Sequence, residues 1–301
     1  MIGNTPLIKI RHLTGPDSAE VYVKWEGANP TGSMKDRMAM SMIEGAEQRG
    51  ALKPGGRVVE YTGGSTGSSL AMICATRDYK AHFVSSNGFS QEKLQTMRAF
   101  GAEVEIVHAE GGVLTANVIN RMIARAKELS REPGTFWPDQ VNNLDNKLGY
   151  HGMAREILNQ IDGPVDEFIM AAGGGGCISG NAEILKAQNP NTRIIAIEPN
   201  DVRNVSGGDT SGTHKLEGIG LSFVPTILRH DLLSDVIPVT DEDAYWGARS
   251  LARREGLFAG ITSGANVWAA LQRAKELGPG KKIVTVLIDT GLRYLNDDLY
   301  L

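Results

Sequence analysis

Gly173-Gly174-Gly175-Gly176-Cys177-Ile178-Ser179-Gly180 follows the apolar run Glu167 to Met170 and leads into a helix-compatible stretch, Ile178 to Ala187. A buried strand, a glycine turn and a helix in that order form one β-α unit of an α/β fold. Four consecutive glycines carry an entropic cost that an ordinary turn does not need. At the head of a helix they let backbone N–H groups approach an anion, which the helix dipole also favours. The spacing is not the dinucleotide pattern G-x-G-x-x-G: the sixth residue is Ile178 counted from Gly173, and Ser179 counted from Gly174.

The same alternation extends in both directions. Upstream, strands are predicted at Val21 to Lys24, Arg57 to Tyr61, His82 to Ser85 and Val104 to His108. Helices are predicted at Met38 to Arg49, Ser68 to Thr76, Gln91 to Phe100 and Ala116 to Leu129. Downstream come strands at Arg193 to Ile197 and Ile283 to Ile288, with a helix at Ala265 to Leu277. Several strands are continuous apolar runs, which suits parallel strands buried on both faces. The expected class is α/β with mainly parallel sheets. In such folds ligands sit beyond the C-terminal ends of strands. Three segments fit that position: Thr62 to Gly67, Gly173 to Cys177 and Gly260 to Gly264. Gly111–Gly112 and Asn204 to Gly212 read as flexible loops.

Bulk properties narrow the function. The 301 residues allow two domains, and the formal net charge is -4. Without a dense Lys/Arg run, a nucleic-acid partner is not expected. Cys74 and Cys177 are far apart and form no C-x-x-C pair, so neither a disulfide framework nor structural zinc is expected. The histidines lack metal-ligand spacing such as H-E-x-x-H, and no metal is expected. There is neither a signal-peptide pattern nor an apolar run of the ~20 residues that span a bilayer. A cytoplasmic protein with no membrane partner is the expectation.

Lys24-Trp25-Glu26-Gly27-Ala28-Asn29-Pro30-Thr31-Gly32-Ser33-Met34-Lys35-Asp36-Arg37 places a lysine after turn residues and before an apolar helix. The lysine falls two places late for a P-loop, so an NTPase is not supported. A lysine partly desolvated there would be a nucleophile for a carbonyl. Thr62-Gly63-Gly64-Ser65-Thr66-Gly67 gathers hydroxyls and amides at a strand-helix junction, a plausible carboxylate cradle. It also matches G-x-S-x-G, with Ser65 as a hydrolase nucleophile. After Ser65 come only His82, His108, His151, His214 and His230, so a triad histidine after an acid would have to be one of these. Hydroxyls at Thr62 to Thr66 and at Thr262-Ser263 also suit helix capping.

Taken together, these segments resemble the cysteine synthase / cystathionine β-synthase family of fold-type II pyridoxal-phosphate enzymes. The resemblance opens at Ile2-Gly3-Asn4-Thr5-Pro6-Leu7 and continues through Lys24, Glu26, Asn29-Pro30, Ser33 and Lys35-Asp36-Arg37. It takes in Gln140, Asn143, Asn146 and His151, then Glu217-Gly218-Ile219-Gly220 and Asp289 to Leu295. The resemblance implies pyridoxal 5'-phosphate as cofactor, with Lys35 as its Schiff-base residue and general base. Gly173, Gly174, Gly175, Gly176 and Cys177 would cradle its phosphate. Thr262 would face the pyridine nitrogen, and Ser65 would lie at the cofactor. Thr62, Gly63, Gly64, Thr66 and Gln140 would bind the substrate carboxylate. Two α/β domains are implied, 1–33 with 136–301 and 34–135, the second mobile and the cofactor in the cleft between them.

The implied reaction is β-replacement on a β-substituted L-amino acid of the O-acetylserine or O-phosphoserine type, through an aminoacrylate, with sulfide or a thiol as nucleophile. A homodimer is the family's usual state. Where the family has T-S-G-N-T-G, this chain has Thr62-Gly63-Gly64-Ser65-Thr66-Gly67. A serine and an asparagine that touch substrate and cofactor are thus replaced. One hydrogen bond to a charged group contributes roughly 1.5–3 kcal/mol, enough to change substrate choice. Cys177 stands where a threonine is usual. Alternatives are a β-elimination lyase of the cysteine/cystine desulfhydrase or serine/threonine dehydratase type, a non-catalytic cofactor-binding regulatory protein, and a serine hydrolase using Ser65.

Overall fold

The computed structural model describes residues 1–221 and 223–301. In chain order the elements are β1 (Leu7–Lys9), β2 (Glu20–Trp25), α1 (Lys35–Gln48), β3 (Arg57–Tyr61), α2 (Ser65–Thr76), β4 (Lys80–Ser86), α3 (Gln91–Ala99), β5 (Glu103–Val107), α4 (Ala116–Leu129) and β6 (Thr135–Phe136). There follow α5 (Leu144–Leu148), α6 (His151–Gln160), β7 (Glu167–Ala171), α7 (Gly176–Gln188), β8 (Arg193–Pro199), β9 (Asp235–Val239), α8 (Asp241–Ser250), α9 (Ile261–Leu277) and β10 (Lys282–Leu287). The expected alternation is present. Gly111–Gly112, read as a loop, ends a short 3-10 turn at Glu110–Gly112.

Packing divides the chain into two units: Met1–Met34 with Tyr150–Leu301, and Lys35–Gly149. The first unit holds a six-stranded sheet in the order β1-β2-β10-β7-β8-β9. Only β1 runs antiparallel to its neighbour. All five residues of β7 are buried, and so are six of the seven in β8. That explains the unbroken apolar runs, since helices cover both faces. Helix α9 packs on α8 at backbone distance, because a Cβ on Gly247 would strike the Gly264 carbonyl oxygen. The second unit holds a parallel sheet in the order β5-β4-β3-β6.

Both sheets reverse their direction of growth. In the first unit the order steps outward from β7 to β9 and then returns to place β10 on the other side of β7. In the second it steps from β3 to β5 and returns to place β6 beside β3. Each reversal opens a crevice where loops beyond the strand ends diverge, the usual ligand position in open α/β sheets. The loops there are Ala172–Gly175 and the one from Ile288 in the first unit, and Thr62–Gly64 and Trp137–Asn143 in the second.

Candidate functional site

In the first unit, the glycine run turns from β7 into α7. A Cβ on Gly173 would overlap the carbonyl oxygen of Gly218. Gly175 has φ 79°, and a Cβ there would lie 2.9 Å from Leu228 Cα. Those two glycines are required by the protein's own backbone. Gly174 is different: a Cβ there would meet nothing within 4 Å. The loop therefore keeps open space over Gly174, beside the first turn of α7. Its leading amides have no acceptor within the helix. An anion of phosphate size and charge fits that arrangement. Cys177 is the second residue of α7, and its carbonyl accepts from Asn181 Nδ2 at 2.8 Å. Ser179 Oγ accepts from Arg229 N at 2.9 Å, holding the segment that backs Gly175.

Thr262, the second residue of α9, is buried. Its hydroxyl donates to the Glu217 carbonyl at 2.9 Å and accepts from the Glu217 amide at 3.2 Å. The Glu217–Gly220 segment thus clamps to α9 on one side and presses on Gly173 on the other. Tyr294 OH donates to Asp289 Oδ2 at 2.9 Å and lies 3.2 Å from Glu217 Oε2. Burial, then the nearby carboxylates of Asp289 and Glu217, push this phenol well above its ordinary value. Tyr294 stays protonated and joins two segments that the sequence separates. Its bridging role was hidden in the sequence, which shows the Asp289 to Leu295 block but not its partner.

The segment leading to Lys35 is fixed by buried polar groups. Glu26 accepts from Thr5 Oγ1 and from Asn29 Nδ2, both at 2.7 Å. Asn29 Oδ1 in turn accepts from Gly3 N at 2.9 Å. Lys24 Nζ, fully buried, donates to Thr5 O at 2.6 Å and pairs with Glu156 at 2.8 Å. The opening Gly3-Asn4-Thr5 and the lysine segment are one network, so the two blocks occur together for a physical reason. Gly32, at φ 74°, turns the chain, and Met34 N donates to Ile288 O at 2.9 Å. Met34 closes the first unit.

Lys35 opens the second unit as the half-buried first residue of α1. The next residue, Asp36, is fully buried and accepts from Ser69 Oγ at 2.6 Å, tying α1 to α2. Thr62 Oγ1 accepts from both Gly64 N and Gly67 N at 3.1 Å, which folds the 62–67 loop over the start of α2. A Cβ on Gly63 would stand 2.7 Å from the Phe89 ring. Gly64, at φ 142°, lies under the methylenes of Lys93, a buried lysine. Ser65 and Thr66 are the first two residues of α2. Thr66 Oγ1 donates to Gln140 Oε1 at 2.7 Å, so the loops after β3 and β6 meet at the reversal of this sheet.

His82 lies between the carboxylates of Glu103 and Glu105, 3.6 and 3.3 Å from its ring nitrogens. Both cysteines are buried and in no disulfide, and burial pushes the Cys74 thiol up to about 12. Among the described residues no cluster of three or more His, Cys, Asp or Glu side chains could hold a metal ion. No helix among them is long and apolar enough to cross a membrane.

The family profile described as pyridoxal-phosphate dependent enzyme matches residues 1–289. A cysteine synthase of Staphylococcus aureus (strain Mu50 / ATCC 700699) is 43% identical over 302 residues, covering 100% of this chain and 95% of that protein. The crystal structure of cysteine synthase (OASS) from Entamoeba histolytica superposes with TM-score 0.93 at 32% identity, over 99% of this chain and 88% of that one. A hydrogen sulfide-producing enzyme from Fusobacterium nucleatum superposes with TM-score 0.90 at 37% identity, over 98% and 97%.

Proposed function

The chain belongs to the pyridoxal-phosphate-dependent enzymes, with the fold-type II architecture of their cysteine synthases, and from that premise we propose how its own residues divide the work. It is a β-replacing enzyme that acts on an amino acid with sulfide as nucleophile. When bound, pyridoxal phosphate supplies an aldehyde for amines and an electron sink for bond breaking at Cα. Lys35 Nζ would hold the cofactor and, when its amine is free, would take the substrate Cα proton as general base. Gly173 to Cys177 hold the phosphate. Thr62, Gly63, Gly64, Thr66 and Gln140 bind the substrate carboxylate, and Ser65 borders the cofactor.

One observation supports the reading: the Thr262 hydroxyl at the start of α9, which would face the ring nitrogen, is committed to the Glu217 backbone. A hydroxyl, unlike a carboxylate, does little to keep that nitrogen protonated, which weakens the electron sink. Prompt loss of a β-substituent is then favoured over other fates of the substrate. Serine esters of the O-acetylserine or O-phosphoserine type are the proposed substrates, and sulfide or a thiol the proposed nucleophile. A homodimer working in the cytoplasm is the proposed setting.

The test is product formation by the purified, cofactor-loaded protein. Cysteine formed from O-acetylserine or O-phosphoserine plus sulfide, and lost in Lys35→Ala, is the expected result. Bound cofactor with neither cysteine nor pyruvate formed would overturn it and leave a non-catalytic cofactor-binding protein. β-Elimination of the desulfhydrase or dehydratase type is a second reading, supported by the likeness to a hydrogen sulfide-producing enzyme. Pyruvate and ammonia formed in place of cysteine would establish elimination.

A further inference from the structure

Glu60 is fully buried near the end of β3, in a parallel sheet where an isolated carboxylate is costly. Its carboxyl group accepts three N–H donors. Oε1 takes the Tyr61 amide at 3.0 Å and Trp137 Nε1 at 2.9 Å, and Oε2 takes the Gln140 amide at 3.1 Å. Two of these donors lie on the segment that follows β6. That strand pairs with β3 only at Arg57–Thr135 and Val58–Phe136. Beyond it comes Pro138, which has no N–H for a ladder. Asp139 then turns left-handed at φ 49°, a conformation that a non-glycine residue holds only when its surroundings impose it. The Glu60 side chain takes the place of the missing ladder.

Gln140 is fixed at every polar atom. Besides its amide on Glu60, its carbonyl accepts from Asn146 Nδ2 at 2.6 Å and its Oε1 from Thr66. Its Nε2 donates to Tyr61 O at 3.3 Å. An amide nitrogen carries two hydrogens. Among the described residues the second has no acceptor and is available to a ligand.

We propose that Glu60 is a positioning residue for β-replacement, holding Trp137–Gln140 so that Gln140 presents its remaining amide hydrogen to the substrate beside Thr66. The proposal rests on the reading of Gln140 and Thr66 as carboxylate-binding residues. Burial pushes Glu60 up to about 8, against the pull of the Trp137, Gln140 and Tyr61 donors, and the Asp139 charge adds to the rise.

The experiment measures KM and kcat for O-acetylserine, or for O-phosphoserine if that is the ester turned over, in the cofactor-loaded enzyme. The variants are Gln140→Ala, Glu60→Gln, Glu60→Ala and Trp137→Phe. Gln140→Ala tests the underlying reading: an unchanged KM would remove the carboxylate role of Gln140 itself. With that reading upheld, Glu60→Ala should raise KM about ten-fold, as for one oriented hydrogen bond lost. Its kcat should stay within about two-fold, since chemistry at Lys35 is untouched. Glu60→Gln, which keeps an acceptor oxygen, should recover part of the loss, and Trp137→Phe should raise KM less than Glu60→Ala. A KM that rises in Gln140→Ala but stays at the wild-type value in both Glu60→Gln and Trp137→Phe would overturn the proposal, even if Glu60→Ala fails to fold. So would a fall in kcat with KM unchanged.

Discussion

The ring of Phe89 stands 2.7 Å from the point where a Cβ on Gly63 would lie. The glycine in the 62–67 loop and the aromatic after β4 are therefore one structural choice. Restoring a serine, as Gly63→Ser, should overpack the loop at a cost of about 1–3 kcal/mol. Thermal unfolding of Gly63→Ser, Phe89→Ala and the double variant gives a coupling energy. A coupling of about 1 kcal/mol or more in the compensating direction is expected. Additive losses would mean that Phe89 yields freely and does not dictate the glycine.

The glycine run makes a contrast between neighbours. Gly174→Ala should leave the fold intact, within about 0.5 kcal/mol, because its Cβ meets nothing in the chain. It should still weaken pyridoxal-phosphate binding about ten-fold by filling the phosphate space. Gly173→Ala should lower the unfolding temperature, because it meets Gly218. Fluorescence titration with the cofactor reads the first effect. Unchanged affinity in Gly174→Ala would remove this loop from the phosphate site.

Cys177→Thr should tighten cofactor binding by about two- to ten-fold, the value of one neutral hydrogen bond, because a hydroxyl donates better than a thiol. Weaker binding would show that the side chain at 177 faces away from the phosphate.

Stability should carry a signature of Glu60. Its carboxyl rises from an ordinary 4.5 to about 8 in the fold, chiefly through burial. Between those values the folded chain keeps a proton that the unfolded chain has lost. The contribution is fully present below 4.5 and is lost as pH rises through 8. Melting temperatures from pH 5 to 9 should therefore fall more steeply in the wild type than in Glu60→Gln. Parallel curves would show that Glu60 is already ionised in the fold at neutral pH.

Much of this architecture was legible because β7 and β8 are unbroken apolar runs and α4 is strongly two-faced. Helix starts were placed late, at Ser68, Ile178 and Ala265, where the structure begins them at Ser65, Gly176 and Ile261. Glycine, serine and threonine in a first turn carry no apolar period, yet those turns carry many of the proposed site residues. Strand β9 escaped notice because Pro238 breaks its pattern, and a proline is tolerated there because β9 is an edge strand. Helix α8 carried a readable cap: the Thr240 hydroxyl accepts from the Asp243 amide and donates to the Asp243 carboxylate. Glu60 was beyond sequence reading, because its partners Trp137 and Gln140 lie 77 and 80 residues away and nothing local marks them.

The pairing of β2 with β10 sets a timetable for synthesis. A chain emerging from the ribosome exposes Glu20–Trp25 early, yet the strand that flanks it in parallel is Lys282–Leu287. The first unit cannot close its sheet until Lys282–Leu287 has been made. Lys35–Gly149 is one uninterrupted stretch, with every strand of its sheet already made by residue 136. The half of the molecule that begins with Lys35 therefore has its parts in hand first, while the edge of β2 waits for a partner. A premature stop before residue 282 would leave that edge bare, a template for unwanted strand pairing.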